Sequence, residues 1–118
     1  MSTDWNTRTK LVHEGVRRSQ YGEMAEAIFM TQGFVYPSAE AAEQRLIEIG
    51  EDEFIYARYG NPTTRMFEER IAAIEGTEDA FATASGMAAV NGALTSMVKA
   101  GDHVVAAKQM FGSCLYVL

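Results

Sequence analysis

Two short stretches of the sequence combine residue types that could hold an anion. In the first, Tyr56 and Arg58 stand two residues apart, so an extended backbone would place both side chains on the same side. A guanidinium offers a bidentate fork to a phosphate, and a phenol adds one further hydrogen bond. The alternative is that the tyrosine packs while Arg58 pairs with a carboxylate. The residues of this stretch alone leave both interpretations open.

The second stretch, residues 81–89, changes from a short strand pattern to a helical pattern at Ser85-Gly86. Such a junction points free backbone N–H groups and the positive end of the helix dipole at one spot, and Gly86 lets a ligand approach the backbone closely. A phosphate would sit there. The spacing matches neither Gly-x-Gly-x-x-Gly nor Gly-Lys-Ser, so neither common nucleotide fingerprint applies. The alternative is that Gly86 only eases the turn.

Two helices with clear start signals precede this junction. Ser38 can cap a helix over residues 39 to about 49, and Asn61 with Pro62 can start a second helix, which Gly76 ends. The apolar stripe predicted to bury the second helix consists of Phe67, Ile71 and Ile74. The aromatic loop that carries Tyr56 and Arg58 therefore leads directly into a helix.

The order strand, helix, strand over residues 80–107 predicts an α/β fold with a mainly parallel sheet. The second strand, residues 103–107, is followed by a loop that contains Phe111. In open α/β sheets, ligands bind at the carboxyl ends of the strands, so Phe111 could reach the same ligand as Gly86. Its ring could stack on a flat aromatic cofactor, or it could simply pack.

Composition narrows the class of protein. The 118 residues are 47% hydrophobic and carry a net charge of -6, which is typical of a soluble globular chain and argues against nucleic-acid or anionic-membrane surfaces. Neither a membrane-spanning run nor a signal-peptide pattern is present, so we expect a cytoplasmic protein. The lone Cys114 excludes an internal disulfide and a cysteine metal cluster, and no metal site is expected.

The domain organisation predicted from the sequence has two parts. Residues 1–52 read as an N-terminal arm, which could include a short helix, followed by the first capped helix. Residues 53–118 read as the beginning of a cofactor-binding large domain. The chain closes on an apolar run, residues 115–118, that resembles the first turn of a buried helix without a cap. We therefore expect the N-terminal piece of a longer protein.

Four stretches in order, residues 56–63, 67–76, 84–89 and 101–104, together resemble the cysteine/methionine-metabolism (transsulfuration) family of pyridoxal-phosphate enzymes. The resemblance runs from about Thr9 to the end of the chain. Within the family, Phe111-Gly112-Ser113 is most similar to the O-succinylhomoserine sulfhydrylases, because many relatives carry a tyrosine where this chain has Phe111.

The resemblance implies an aspartate-aminotransferase-like (type I) fold and a homotetramer built as a dimer of dimers, with active sites at the dimer interface. It also implies roles for the residues singled out above. Ser85, Gly86 and Met87 match the turn that holds the cofactor phosphate, and Tyr56 and Arg58 match the pair that reaches the phosphate of the neighbouring subunit's cofactor. Phe111 matches the ring that stacks on the pyridine, and it lacks the hydroxyl that can move protons in relatives with tyrosine. The cofactor-binding residues expected for pyridoxal 5′-phosphate are thus Tyr56, Arg58, Ser85, Gly86, Met87 and Phe111.

The implied reaction is γ-replacement on an O-acylhomoserine, foremost O-succinylhomoserine, with sulfide to give homocysteine in methionine biosynthesis. The lysine that binds the cofactor in this family stands in a Ser-x-Thr-Lys setting, which Lys10, Lys99 and Lys108 do not match. The 118 residues alone should therefore not be catalytic. The alternatives are cystathionine γ-synthase or methionine/cystathionine γ-lyase of the same family, a different phosphate-ligand enzyme on a doubly wound sheet, or a non-catalytic binding module.

Overall fold

The computed structural model describes residues 4–50 and 52–118. In these ranges the chain forms four α-helices and one short 3-10 helix, and none of the helices is long and apolar enough to cross a membrane. The elements are α1 (Thr7–His13), α2 (Ala39–Ile47), α3 (Pro62–Glu75), α4 (Gly86–Met97) and the 3-10 helix (Gly112–Tyr116). The chain divides into two compact units, Met1–Ala80 and Phe81–Leu118. The predicted boundary between residues 52 and 53 stays a prediction.

The helices α2 and α3 begin where their caps predict. The Ser38 hydroxyl accepts a hydrogen bond from the Ala41 N–H at 3.1 Å, and Asn61 Oδ1 accepts one from the Thr63 N–H at 2.8 Å. Helix α3 ends at Gly76, whose φ of 69° is the left-handed conformation that glycine adopts at low cost. Helix α2 ends at Ile47, two residues before the predicted end at 49.

The first unit is organised around α3. Helix α1 packs against it, and the side chains of Met66 and Ala72 are buried. Phe67, which we predicted to face the core, is 55% exposed. The reason is that the N-terminal segment covers the neighbouring face of α3: Lys10 Nζ donates to the Ala73 carbonyl at 3.1 Å, and the Arg17 N–H lies 3.4 Å from Met66 Sδ. Successive helical residues point about 100° apart, so covering Met66 leaves Phe67 outside.

In the second unit, α4 begins at Gly86 as predicted and contacts the 3-10 helix. The N-cap is Ser85, whose hydroxyl accepts from the Ala88 N–H at 3.2 Å. The helical turn expected at residues 115–118 is found slightly earlier, as the 3-10 helix at Gly112–Tyr116.

The two predicted strands do not form a sheet within the described residues. Segments 80–84 and 103–107 contain no ladder, and their Phe81 and Val105 side chains are 81% and 88% exposed. A parallel strand needs hydrogen-bonding neighbours along its edges, and neither segment supplies one to the other. In the described residues the one β-type contact is an isolated antiparallel bridge between Gly33 and Tyr56.

Candidate functional site

Tyr56 opens a tight turn that runs to Gly60. Its carbonyl accepts hydrogen bonds from the Tyr59 N–H at 2.9 Å and from the Gly60 N–H at 3.2 Å. The extended backbone that we expected between Tyr56 and Arg58 is therefore wrong. The chain must reverse here, because the bridge at Tyr56 is followed within six residues by the start of α3.

The turn nevertheless brings the two side chains together. The Arg58 guanidinium carbon lies 5.0 Å from the ring centroid of Tyr56 and 5.3 Å from that of Tyr59. These distances are typical of cation–π contacts. No carboxylate pairs with Arg58 in the part of the chain that the structure describes. Its N–H donors thus face the surroundings, and the alternative of a structural ion pair finds no partner there.

Residues 29–33 anchor this turn from the other side. The Ala57 N–H donates to the Gln32 carbonyl at 2.9 Å, next to the bridge between Gly33 and Tyr56. Asn61, at the end of the turn, donates from Nδ2 to the Phe29 carbonyl at 2.9 Å. The sequence predicts Asn61 only as a helix cap and does not indicate this second contact. Its partner is a backbone carbonyl 32 residues away, which no local pattern reveals.

The N-terminus of α4 presents unused donors. Ser85 is extended, with φ -158° and ψ 158°, and its hydroxyl is engaged by the Ala88 N–H. Within the described residues, the N–H groups of Gly86 and Met87 donate no hydrogen bond, as expected for the first turn of a helix. Gly86 is exposed, and a Cβ added there would meet no atom within 4 Å apart from its chain neighbours and the backbone of its own helix turn.

Phe111 lies in the same unit as this turn. Its carbonyl accepts from the Cys114 N–H at 2.9 Å and so begins the 3-10 helix that contacts α4. Its side chain is 71% exposed, which leaves the faces of the ring open for stacking. None of the six predicted residues lines the groove formed in this unit by Phe81, Thr83, Ala89, Gly92, Ala93 and Ser96.

Three kinds of groups in the described residues suit ligand binding: a guanidinium, helix N-terminal N–H donors and an exposed aromatic ring. The first belongs to the unit Met1–Ala80, and the other two belong to Phe81–Leu118. In the described residues, no group of three or more His, Cys, Asp or Glu side chains is arranged to hold a metal ion. The donors suit a phosphate, and the ring suits a flat heterocycle.

Comparison with known proteins assigns the class. The model of the Cys/Met metabolism PLP-dependent enzymes matches residues 8–118. The chain therefore belongs to this family, whose cofactor is pyridoxal 5′-phosphate. The family resemblance expected from the sequence is confirmed.

Two individual enzymes of the family are similar to the chain in sequence. The chain is 52% identical over 107 residues to an O-succinylhomoserine sulfhydrylase of Mycobacterium tuberculosis, covering 90% of this chain and 26% of the relative. It is 43% identical over 110 residues to an L-methionine gamma-lyase of Fusobacterium nucleatum, covering 93% of this chain and 27% of the relative. The chain thus spans about a quarter of the length of the relatives it matches.

The fold is supported by a solved structure. An O-acetylhomoserine (thiol)-lyase of Campylobacter jejuni, crystallised with a pyridoxyl-lysine phosphate, superimposes with a TM-score of 0.87 at 25% identity. The superposition covers 97% of this chain and 28% of that one. The type I pyridoxal-phosphate fold predicted from the sequence is confirmed, with the described residues contributing mainly helices.

Proposed function

We propose that this chain is the N-terminal quarter of an O-succinylhomoserine sulfhydrylase, an enzyme that replaces the acyl group of O-succinylhomoserine by sulfide to give homocysteine. The observation that carries the proposal is the 52% identity over 107 residues to the Mycobacterium tuberculosis sulfhydrylase, against 43% over 110 residues to the L-methionine gamma-lyase of Fusobacterium nucleatum. The whole enzyme would act in methionine biosynthesis in the cytoplasm, as a homotetramer.

In its described residues, the chain has free hydrogen-bond donors of the kind that the cofactor phosphate requires. A phosphate dianion needs several hydrogen-bond donors that are not already engaged. Donors that are already paired with carboxylates could not bind the phosphate. Arg58 has no carboxylate partner in the described residues, and the N–H groups of Gly86 and Met87 are similarly unengaged there. Both sets of donors are thus available to an anion.

The roles follow from these contacts. Gly86 and Met87 would donate their backbone N–H groups to the cofactor phosphate, and Ser85 would hold the turn as the N-cap of α4. Arg58 would donate a fork to a phosphate and Tyr56 one hydrogen bond, while the Tyr56 ring fixes the guanidinium through the 5.0 Å contact. Across the dimer interface, this pair would serve the cofactor of the neighbouring subunit.

Phe111 would orient the cofactor by stacking on its ring. When bound, the cofactor withdraws electrons and so stabilises negative charge on the reacting carbon atoms of the substrate. Phe111 has no hydroxyl and cannot donate or accept a proton, so proton transfer must be carried out by groups outside these six residues. Phe111 therefore binds and orients and takes no part in acid–base chemistry.

The experiment is a comparison of substrates with the purified whole enzyme. We expect the highest kcat/KM for O-succinylhomoserine with sulfide, measured as homocysteine formed, and lower values for O-acetylhomoserine or for cysteine in place of sulfide. Efficient cleavage of L-methionine without sulfide would instead assign the enzyme to the gamma-lyases. Failure of the whole protein to bind pyridoxal phosphate would overturn the proposal.

A further inference from the structure

Asn61 is a buried polar residue in a unit where most other residues are exposed or half-buried. It is 8% exposed, and its amide uses both ends. Oδ1 accepts from the Thr63 N–H at 2.8 Å and thereby caps α3. Nδ2 donates to two backbone carbonyls, those of Phe29 at 2.9 Å and Thr31 at 3.4 Å.

A cap alone would not need an amide. Serine, aspartate and asparagine cap helices about equally well, because the cap requires only an acceptor. The two bonds to Phe29 and Thr31 require two donors beside the capping acceptor, which among these residues only asparagine supplies, because serine has a single O–H and an ionised aspartate has none. Asn61 therefore joins two separate functions, the start of α3 and the attachment of residues 29–33.

Those residues in turn hold the Tyr56 turn. The Gln32 carbonyl accepts from the Ala57 N–H at 2.9 Å, and Gly33 forms the bridge with Tyr56. A further hydrogen bond also joins residues 29–33 to the start of α3: the Phe29 N–H donates to Thr63 Oγ1 at 2.9 Å. The turn is thus fixed between the segment 29–33 and the N-terminus of α3.

Arg58 depends on this support for its position. Its guanidinium contacts the rings of Tyr56 and Tyr59, which belong to the same turn, and it has no ion-pair partner in the described residues. No contact outside the turn therefore fixes the guanidinium there. Movement of the turn backbone would move the guanidinium with it.

We propose that Asn61 is a positioning residue: its amide donors attach residues 29–33 to the start of α3 and so set the turn that presents Tyr56 and Arg58. The inference rests on the proposed role of this pair in phosphate binding. It extends the site to a residue that touches neither cofactor nor substrate.

The test uses Asn61→Ser in the whole enzyme, which keeps a capping oxygen, introduces no charge and removes the two N–H donors of the amide; the shorter serine side chain has a single O–H. The matched control is Asn6→Ser: Asn6 caps α1 by accepting from the Thr9 N–H at 3.0 Å, is exposed, and makes no amide-donor contact in the described residues. Apoenzyme is titrated with pyridoxal phosphate. We expect Asn61→Ser to weaken binding about threefold to tenfold, the range for the net loss of about one hydrogen bond, and Asn6→Ser to leave it unchanged.

A double variant tests whether Asn61 acts through Arg58. If it does, Asn61→Ser should add less than about twofold to the loss of affinity already caused by Arg58→Ala, because coupled residues are not additive. Multiplication of the two losses would overturn the proposal. Thr63→Val, which removes the parallel acceptor for the Phe29 N–H, gives a second route should Asn61→Ser fold poorly, and it should show the same coupling.

Hydrogen exchange separates this proposal from the proposed function. Amides in residues 54–60 should exchange faster in Asn61→Ser than in Asn6→Ser, whether or not the turn binds phosphate. If exchange rises but Arg58→Ala leaves cofactor affinity unchanged, the phosphate role of Arg58 fails and the attachment by Asn61 stands. If exchange in residues 54–60 is the same in both variants, the positioning role of Asn61 is overturned.

Discussion

At the scale of single residues, the proposed site relies on groups that are left without partners. In the described residues, the guanidinium of Arg58 contacts only the tyrosine rings of its own turn. The N–H groups of Gly86 and Met87 donate no hydrogen bond there, and the ring of Phe111 is largely exposed. By contrast, two other arginines of the first unit form ion pairs: Arg65 contacts Asp79 at 2.8 Å, and Arg45 contacts Glu53 at 3.0 Å. A guanidinium without a carboxylate partner is what the proposed phosphate role of Arg58 requires.

Phe111 gives the first prediction. We expect Phe111→Ala to weaken pyridoxal phosphate binding by the whole enzyme about twofold to tenfold, since stacking contributes roughly 0.5–1.5 kcal/mol beyond area burial. Phe111→Tyr keeps the ring and should bind the cofactor as the original does. Titration of the three apoenzymes measures this. Equal affinity of the alanine variant and the original would remove Phe111 from the site.

At the scale of elements, the N-terminal segment and α3 form the best-connected part of the first unit. Arg70 Nε donates to the Glu14 carbonyl at 3.1 Å, and Arg17 pairs with both Asp52 and Glu69. Gly15 makes the close approach possible: a Cβ there would lie 2.6 Å from the Met66 carbonyl oxygen, closer than side chains tolerate. Its φ of 68° also favours glycine.

The second prediction compares two glycines of like conformation. Gly22 has a φ of 64° but meets nothing within 4 Å, so Gly22→Ala costs only the backbone strain, about 1–2 kcal/mol. Gly15→Ala costs this strain and the overlap with α3, roughly 1–3 kcal/mol more. Tryptic cleavage of the whole enzyme after Arg17 and Arg18, which requires the segment to open, should therefore be faster in Gly15→Ala than in Gly22→Ala. Equal cleavage rates would show that the segment does not lie on α3.

The third prediction concerns the loss of stability at acidic pH. The Arg70 guanidinium holds the pKa of the Glu26 carboxyl below its ordinary value of 4.5. A lowered folded pKa means that the stabilisation is fully present above pH 4.5 and is lost as the pH falls through the folded pKa. Because Glu26 is about one-third exposed, the ion pair contributes at most about 1 kcal/mol.

Thermal denaturation of the whole enzyme as a function of pH measures this contribution. Glu26→Gln should lower the midpoint at pH 7, and the difference from the original should shrink below pH 4.5. The control is Glu43→Gln on α2, where the described residues contain no ion pair with Glu43, and it should show no such difference. A Glu26→Gln difference that persists unchanged in acid would assign the effect to packing of the side chain.

The helix starts were predictable from the sequence because caps are local. Each cap side chain accepts a hydrogen bond from an N–H within three residues of its own position. Helices α2, α3 and α4 therefore begin where the sequence predicts, after Ser38, Asn61 and Ser85. The sheet was not predictable in the same way, because a strand is defined by a neighbour that may lie far away in the chain. The pairing of Tyr56 with Arg58 was anticipated from an extended backbone, yet it arises in a turn.

At the scale of the whole molecule, the chain exposes much apolar surface. Between residues 21 and 35, Tyr21, Met24, Ile28, Met30 and Val35 are each at least 76% exposed. The surface is consistent with a chain that spans about a quarter of its relatives and that we propose to be part of a homo-oligomer. The proposed site likewise needs a second subunit, because Tyr56 and Arg58 would serve the neighbour's cofactor.

The fourth prediction tests the site and the assembly together. If Arg58 donates to a phosphate across the interface, Arg58→Ala should weaken cofactor binding about tenfold to a hundredfold, and Arg58→Lys should restore only part of it, because an ammonium cannot form the fork. A whole-enzyme Arg58→Ala variant is then mixed, at limiting cofactor, with a variant that lacks the cofactor-binding lysine expected outside these 118 residues.

In each hybrid dimer, one of the two sites combines the intact lysine of the Arg58→Ala subunit with Arg58 of the lysine-deficient subunit. The two-fold symmetry of the interface makes the other site doubly defective, so activity should return towards about half of the original value per hybrid dimer. Subunit exchange is verified separately by mass labelling. If exchange occurs and mixing restores no activity, Arg58 acts within its own subunit or outside the site, and the interface placement of the Tyr56 turn is wrong.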